Sequence, residues 1–476
     1  MSRDSITRRD WLKLTGGVAV AAATGTLGAP HARAADALPP LVAGSDWLRQ
    51  WKGVRLVLSS HTGPTTDAAK QVSQEFAKQT GAEVAVIGES WTDLLSKHLA
   101  DFAAGSGSYD VLTWPYIWTG NYVEGGMIED LDPWFANKDV ADPGFDMADI
   151  PPAVLEVYGR YRGAASPKPD ALWSVPYKFD VYLAQYRTDL FKQAGLVDAS
   201  GNAKPPATWE ELLANAKVLK AKFPDISPVV LPLAVDDPMV ATFLPIFADY
   251  GGKTPIPWYD ANLFPQIQTK PAQDAVNLLK QLMAYMPADV LDMDYDRVNA
   301  LMAQGKAAYA LNWNAYLPVL LDPKASQISA NVAFDSTPGG PSGRVSGLGG
   351  WQMGVSTQSK HKAAAFQLVE WIGGRGRGVE FALDGGSAAR FSVANDPRVV
   401  KQFPYYPLLM DILKGYAARG MDRSWTELQR TIGVGLNEIL LGKQPTDQGL
   451  VRIADQMYTQ AQRAGYKPQK TGPKPA

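Results

Sequence analysis

Between residues 54 and 113 the chain switches repeatedly between two hydrophobic periods, and this alternation limits the fold more than any other feature. Residues 54–59 are a short run rich in Val and Leu, the pattern of a buried strand. Ala68, Ala69, Val72 and Phe76 then recur at helical spacing, with Thr65 or Thr66 available as N-cap. Residues 83–87 alternate as a second strand. Residues 91–104 place Leu94, Leu95, His98, Leu99 and Phe102 on one helical face, and 109–113 form a third strand. Strands and helices taken in turn predict an α/β fold with a mainly parallel sheet.

Later segments continue the pattern. Residues 173–184 are an apolar and aromatic run interrupted by Pro176, Lys178 and Asp180. Thr208-Trp209-Glu210-Glu211 is a capping box opening a helix to about Lys222. Residues 229–235 and 307–313 read as strands. Residues 339–350 hold six glycines and read as a loop, while Ala364, Ala365, Leu368, Val369 and Ile372 mark a helix. The run Gly373-Gly374-Arg375-Gly376-Arg377-Gly378 follows that helix and not a strand, so it is a helix end and not a phosphate loop. Further helices run over about 424–441 and to near Gly465, and the Lys/Pro/Gly-rich tail, 467–476, is expected to be disordered.

The N-terminus has another logic. Arg8-Arg9 precede Asp10-Trp11-Leu12-Lys13, a mildly apolar run follows to Leu27, and Ala32-Arg33-Ala34 offers small residues for cleavage. Charged start, apolar middle and small-residue exit are the parts of a secretory signal, here resembling the twin-arginine class. Residues 1–34 are therefore expected to be removed, the mature chain to start at Ala35, and the product to work in the periplasm without membrane insertion. The chain has no cysteine, which excludes disulfides, thiolate metal sites and a lipid anchor on Cys. Net charge is −2 overall; residues 1–34 carry five basic against two acidic groups, so the remainder is more acidic and shows no basic run to suit nucleic acid. Histidines are few and scattered, with no metal-binding spacing, so no metal and no cofactor is expected. Of 14 tryptophans only Trp11 lies in the leader, an abundance that suits stacking on the faces of sugars.

Several segments resemble one family, the bacterial extracellular solute-binding proteins of the sugar-binding, maltose-binding-protein-like group. Trp91-Thr92-Asp93-Leu94-Leu95 with Gly105 and Tyr109-Asp110-Val111 is similar to its first lobe, and Leu172-Trp173-Ser174-Val175-Pro176-Tyr177 to its first lobe-crossing strand. Pro206-Ala207-Thr208-Trp209-Glu210-Glu211-Leu212 resembles its Pro-x-Thr-Trp-Glu-Glu-Leu helix start. Residues 307–313 resemble its strand into a binding-site Trp, Ala388-Ala389-Arg390-Phe391-Ser392 its Pro-x-Arg-x-Ser segment with Ala388 in place of Pro, and the stretch around Gly442 its terminal helix end. The resemblance covers nearly the whole chain after the leader. It implies an α/β, two-lobed periplasmic binding protein fold of type II, with three hinge crossings near Asp180, Ser336 and 382–386 and the ligand between the lobes. The N-terminal lobe would comprise 35–180 and 336–384, and the C-terminal lobe 181–335 and 385–466. It also implies a monomer that captures a small carbohydrate and delivers it to the permease subunits of an ABC importer.

Sugar capture needs carboxylate, amide and guanidinium groups for hydroxyls and aromatic rings for C–H faces. Asp180 is the candidate rim acceptor, with turn capping as the alternative. Arg390 is a candidate bidentate donor or an inter-lobe ion pair. Trp313 and Asn314 follow a strand where the resemblance places a stacking aromatic. Gly350 lets backbone N–H groups approach a ligand, and Trp351 beside it serves the ligand or the core. His61 and Thr62 lie at the carboxyl end of the first strand, the edge where open α/β sheets bind ligands. Trp114, Tyr116 and Trp118 follow the third strand at period two, with core burial expected for at least one. Trp91, Asp237 and Trp425 are carried by their positions in the resemblance. Alternatives are a same-fold receptor for an anionic non-sugar or acidic sugar, and an exported carbohydrate-active enzyme; no carboxylate pair stands out for the latter.

Overall fold

A computed structural model of the chain describes residues 38–468, apart from 164, 253–256 and 261–262. The leader and residues 469–476 of the tail lie outside the described residues. The chain divides into two compact units, Met1–Pro39 and Pro40–Ala476, and the second carries all the elements that follow.

Strands β1 (Arg55–His61), β2 (Glu83–Glu89) and β3 (Val111–Pro115) alternate with the helices Pro64–Thr80 and Trp91–Ala104. β1 runs parallel to both β2 and β3. The first helix opens at Pro64 with Gly63 as its cap residue, not at Thr65 or Thr66. Proline is preorganised for the first helical position and needs no capping side chain there. Thr66 instead donates from its hydroxyl to Ser60 at 2.8 Å, tying the helix to the end of β1. The second helix is capped by Ser90, whose hydroxyl accepts from the Asp93 N–H.

β4 (Val175–Arg187) links two groups of strands. Its first half pairs antiparallel with β7 (Ser346–Val355), which also pairs antiparallel with β3. Its second half pairs antiparallel with β5 (Tyr309–Trp313) and β6 (Val332–Ser336). β8 (Tyr416–Ala418) adds parallel to the start of β7. The path is β2-β1-β3-β7-β4-β5, and the expected mainly parallel pairing holds only for β2-β1-β3 and for β8 on β7, the remaining pairs being antiparallel. β7 returns to the sheet from far along the chain and needs no right-handed crossover helix, which frees it to run antiparallel.

Two local expectations change. Residues 229–235 form no strand; Val230 makes a single bridge to Ala310. The glycine-rich stretch 339–350 is a loop only in its first half, because Ser346 onward is β7, buried along its whole length. Glycine is poor in strands on average, but here it serves close approach. A Cβ on Gly349 would sit 2.7 Å from the Trp313 ring, and one on Gly354 3.0 Å from Trp114. The capping box forms: Thr208 accepts from the Glu211 N–H at 3.1 Å, while Glu211 reaches back to the N–H of Ala207. The helices Lys362–Gly373 and Arg375–Leu383 meet at Gly374, as the helix-end reading of that glycine run expects.

Candidate ligand-binding site

The carboxyl ends of β1, β2 and β3 lie side by side, and the residues beyond them build an aromatic group. His61 ends β1, Trp91 opens the helix after β2, and Trp118 ends a tight turn, Tyr116–Trp118, after β3. Trp351 joins them from β7, where it pairs with Pro115 on one side and Lys178 on the other. Ring centroids lie 4.7 Å apart for Trp91–Trp118, 5.7 Å for Trp91–Trp351 and 5.3 Å for His61–Trp351. Trp91 is the exposed member, at 39%. Burial, with the Lys178 ammonium nearby, lowers the His61 pKa against the opposing pull of Asp296, which keeps the ring neutral at pH 7.

Beside this group, β4 presents Lys178 and Asp180 on one face, two residues apart. Lys178 Nζ lies 3.0 Å from Asp180 Oδ2. Asp180 is buried and its Oδ1 has no hydrogen-bond partner. Burial raises its pKa, opposed by the charges of Lys178 and then Arg419. A buried carboxylate oxygen left open is costly unless something donates to it.

The third part gathers around Trp313 at the end of β5. Its indole lies over Gly349 and meets Tyr182 edge-on at 4.9 Å. The Arg419 guanidinium sits 5.2 Å from the Trp313 ring centre. The Arg419 backbone N–H donates to the Tyr116 hydroxyl at 2.7 Å, its Nε to the same oxygen at 3.3 Å, and its Nη1 pairs with Asp237. Tyr295 donates to the other Asp237 oxygen at 2.7 Å. Burial opposes the charge on Arg419, but Asp237 and the Tyr116 and Tyr295 hydroxyls outweigh it and raise its pKa above the ordinary value.

His61, Trp91, Trp118, Trp351, Asp180, Trp313, Tyr116 and Asp237 thus occupy three adjoining parts. The period-two argument for 114–118 does not hold, because β3 ends at Pro115 and a 3-10 turn follows. Trp118 then joins the aromatic group and Tyr116 faces Arg419, while Trp114 goes to the core, stacked 4.4 Å from Tyr122. Thr62 is exposed, held by its N–H to Glu89. Asn314 spends its side chain on the crossing strand: Oδ1 accepts from Val181 N at 2.6 Å, and Nδ2 donates to Phe179 O and Ser387 Oγ. Gly350 has φ 111°, and a Cβ there would meet the Tyr158 hydroxyl at 2.1 Å and the Lys178 carbonyl at 2.5 Å. Its lack of a side chain serves packing.

Two further candidates lie away from the group. Trp425 is fully buried at the start of a helix, donating to Gln429 and 5.6 Å from Trp258. Arg390, 2% exposed, donates to the carbonyls of Gly373 and Asp146 and pairs with Asp149 at 3.4 Å. The ion-pair alternative therefore describes its contacts. Arg419, Tyr295 and Lys178 escaped the sequence reading. The alternation of Lys178 and Asp180 within an apolar strand was the available signal. Nothing local marks Arg419, which follows a three-residue strand. Among the described residues no three His, Asp or Glu side chains are grouped to hold a metal ion, and no helix is long and apolar enough to cross a membrane.

Comparison with known proteins agrees with this architecture. A probable amino-acid ABC transporter periplasmic-binding protein of Sinorhizobium fredii is 26% identical over 378 residues, 78% of this chain and 80% of that one. An erythritol/L-threitol-binding protein of Mycolicibacterium smegmatis is 22% identical over 352 residues, 73% and 72% of the two chains. The ribitol complex of an ABC transporter solute-binding protein from Agrobacterium radiobacter superposes with TM-score 0.74 at 24% identity, covering 86% of this chain and all of that one. The fold is therefore the two-lobed α/β fold of periplasmic binding proteins. Residues 62–376 match the family described as bacterial extracellular solute-binding protein, and the chain belongs to that family.

Proposed function

We propose that the protein captures a small polyhydroxylated ligand, a polyol or sugar, in the periplasm and delivers it to the permease of an ABC importer. One observation carries the reading: a buried carboxylate, Asp180, keeps one oxygen open beside a group of aromatic rings. Hydroxyls donate to such an oxygen and C–H faces rest on such rings. The names of the relatives support both halves, since one binds erythritol and L-threitol and a structural neighbour holds ribitol.

In this reading Asp180, Trp313, Trp351, Trp118, Trp91 and His61 face the ligand, with Tyr116 and Asp237 supporting Arg419. Asn314 and Gly350 shape the crossing, and Trp114, Trp425 and Arg390 hold the scaffold. The hinge lies where β4 passes from β7 to β5 and β6, dividing the lobes at about 180, 336 and 385. The protein works as a monomeric binder without catalysis or cofactor, exported by its twin-arginine leader.

Titration calorimetry with ribitol, D-mannitol, erythritol, maltose and a set of amino acids tests the proposal. At least one polyhydroxyl compound is expected to bind, and Asp180→Asn to weaken it by about 30- to 150-fold, the value of a hydrogen bond to a charged group, about 2–3 kcal/mol. Binding of amino acids alone would overturn the reading.

A further inference from the structure

We infer that Arg419 determines specificity in this cleft: with Asp180 it forms a paired donor and acceptor that admits neutral hydroxyl compounds and rejects their carboxylate derivatives. The inference rests on the polyhydroxyl reading above and narrows it to uncharged ligands.

The sheet register sets the pair. Asp180 of β4 lies directly opposite Gly349 of β7. On the other flank of β7, Ala418 ends β8 opposite Leu348, and at the next residue the Tyr116 hydroxyl bridges Arg419 N and the Leu348 carbonyl, so Arg419 leaves the sheet beside Gly349. Two strand spacings of about 4.8 Å put the backbones on either side of β7 about 10 Å apart, and Asp180, registered opposite Gly349, shares the face on which a Gly349 Cβ would lie. Between them Gly349 has no side chain, and the Trp313 ring fills the space. Carboxylate, indole and guanidinium therefore follow one another across a single face, and the charge of Arg419 is felt at Asp180.

Each charged group has one free edge. Arg419 uses N and Nε on Tyr116 and Nη1 on Asp237, while Nη2 makes no hydrogen bond among the described residues. Tyr116 is fixed in turn by donating to the Leu348 carbonyl at 3.0 Å, and Asp237 by accepting from Tyr295. The guanidinium is thus oriented before a ligand arrives, which reduces the ordering cost of binding. Asp180 uses Oδ2 on Lys178 and leaves Oδ1 open. What remains is one donor and one acceptor, each already beside an opposite charge. The hydroxyls of a polyol both give and accept hydrogen bonds, so one can accept from Arg419 while another donates to Asp180. A carboxylate can accept from Arg419 but cannot donate to Asp180, and it brings an uncompensated negative charge to a site where Asp180 and Asp237 already balance Lys178 and Arg419.

The test compares ribitol with D-ribonate, its carboxylate counterpart, by titration calorimetry on wild type, Arg419→Lys and Asp180→Asn. Wild type is expected to bind ribitol at least 100-fold more tightly than D-ribonate. Arg419→Lys, which keeps the charge for Asp237 but loses the planar fork, is expected to weaken ribitol by at least tenfold in protein that melts cooperatively as a folded unit. Asp180→Asn is expected to narrow the ribitol-to-ribonate ratio by at least tenfold, because the negative charge is gone and Arg419 remains. Should Arg419→Lys fail to fold, the wild-type ratio and its change in Asp180→Asn decide. Equal binding of the two compounds by wild type, an unchanged ratio in Asp180→Asn, or unchanged ribitol affinity in folded Arg419→Lys would overturn the inference and leave the polyhydroxyl reading standing. If wild type bound none of ribitol, D-mannitol, erythritol and maltose, both would fall.

Discussion

Single residues in this protein do one of two jobs, and burial alone does not separate them. Asp180 and Arg390 are both almost inaccessible and each keeps one polar atom unpaired, yet Arg390 is turned toward Asp149 and two carbonyls at the scaffold while Asp180 lies beside the aromatic group and Arg419. His98 is a third buried polar group, satisfied by the hydroxyls of Tyr122 at 2.7 Å and Ser59 at 2.8 Å. Burial lowers its pKa to about 4. The unfolded chain takes up the proton near pH 6.5 and the folded one only near 4, so stability is full above pH 6.5 and falls as pH drops through that window. Urea unfolding of wild type should therefore lose about 2–3 kcal/mol between pH 7 and 4.5 through this group, and His98→Gln should show a drop smaller by that amount. An equal drop in both proteins would show that His98 is not held neutral.

At the level of elements, β7 sets the tolerances. It is buried throughout, touches β3, β4 and β8, and approaches Trp313, Trp114 and Tyr158 through glycines. Gly350→Ala meets a backbone carbonyl and adopts a left-handed φ that non-glycine residues avoid. Its expected cost is on the order of 3 kcal/mol in denaturant unfolding. Gly376→Ala, in a helix with no atom near the new methyl, should instead be neutral or stabilising by about 0.5–1 kcal/mol. This strand also marks where the sequence stopped being legible. Periodicity revealed β1 to β3, their helices and the capping box, because local spacing encodes them. It could not show that a glycine-rich stretch is a strand, since those glycines answer to rings placed by residues 114, 158 and 313. For the same reason the aromatic group was within reach, each member standing just beyond a readable strand, whereas Arg419 was not. Its role comes from pairing two strands and a distant helix start, which no spacing along the chain records.

At the scale of the whole molecule, the proposed division of labour is between a leader that directs export and a unit that folds without it. The compact unit beginning at Pro40 contains every strand among the described residues and the entire candidate site. A chain starting at Ala35 is therefore expected to melt and bind as the full chain does. Replacing Arg8-Arg9 by two lysines is expected to leave the protein in the cytoplasm with residues 1–34 attached, read by cell fractionation and N-terminal sequencing. Normal export of that variant would count against the twin-arginine assignment.

The late position of β7 has a kinetic consequence as well. The strand that joins β3 to β4 is made of residues 346–355, whereas its partners are residues 111–115 and 175–181. During synthesis the first three strands leave the ribosome with β3 unpaired on one edge, and they keep that open edge until most of the chain has emerged. Contacts so distant in sequence slow folding, because the loop between them must be closed before they are made. A nascent chain paused before Ser346 is thus a half-built sheet prone to pair with its neighbours, and shielding it from them is a task for chaperones rather than for any residue of the finished cleft.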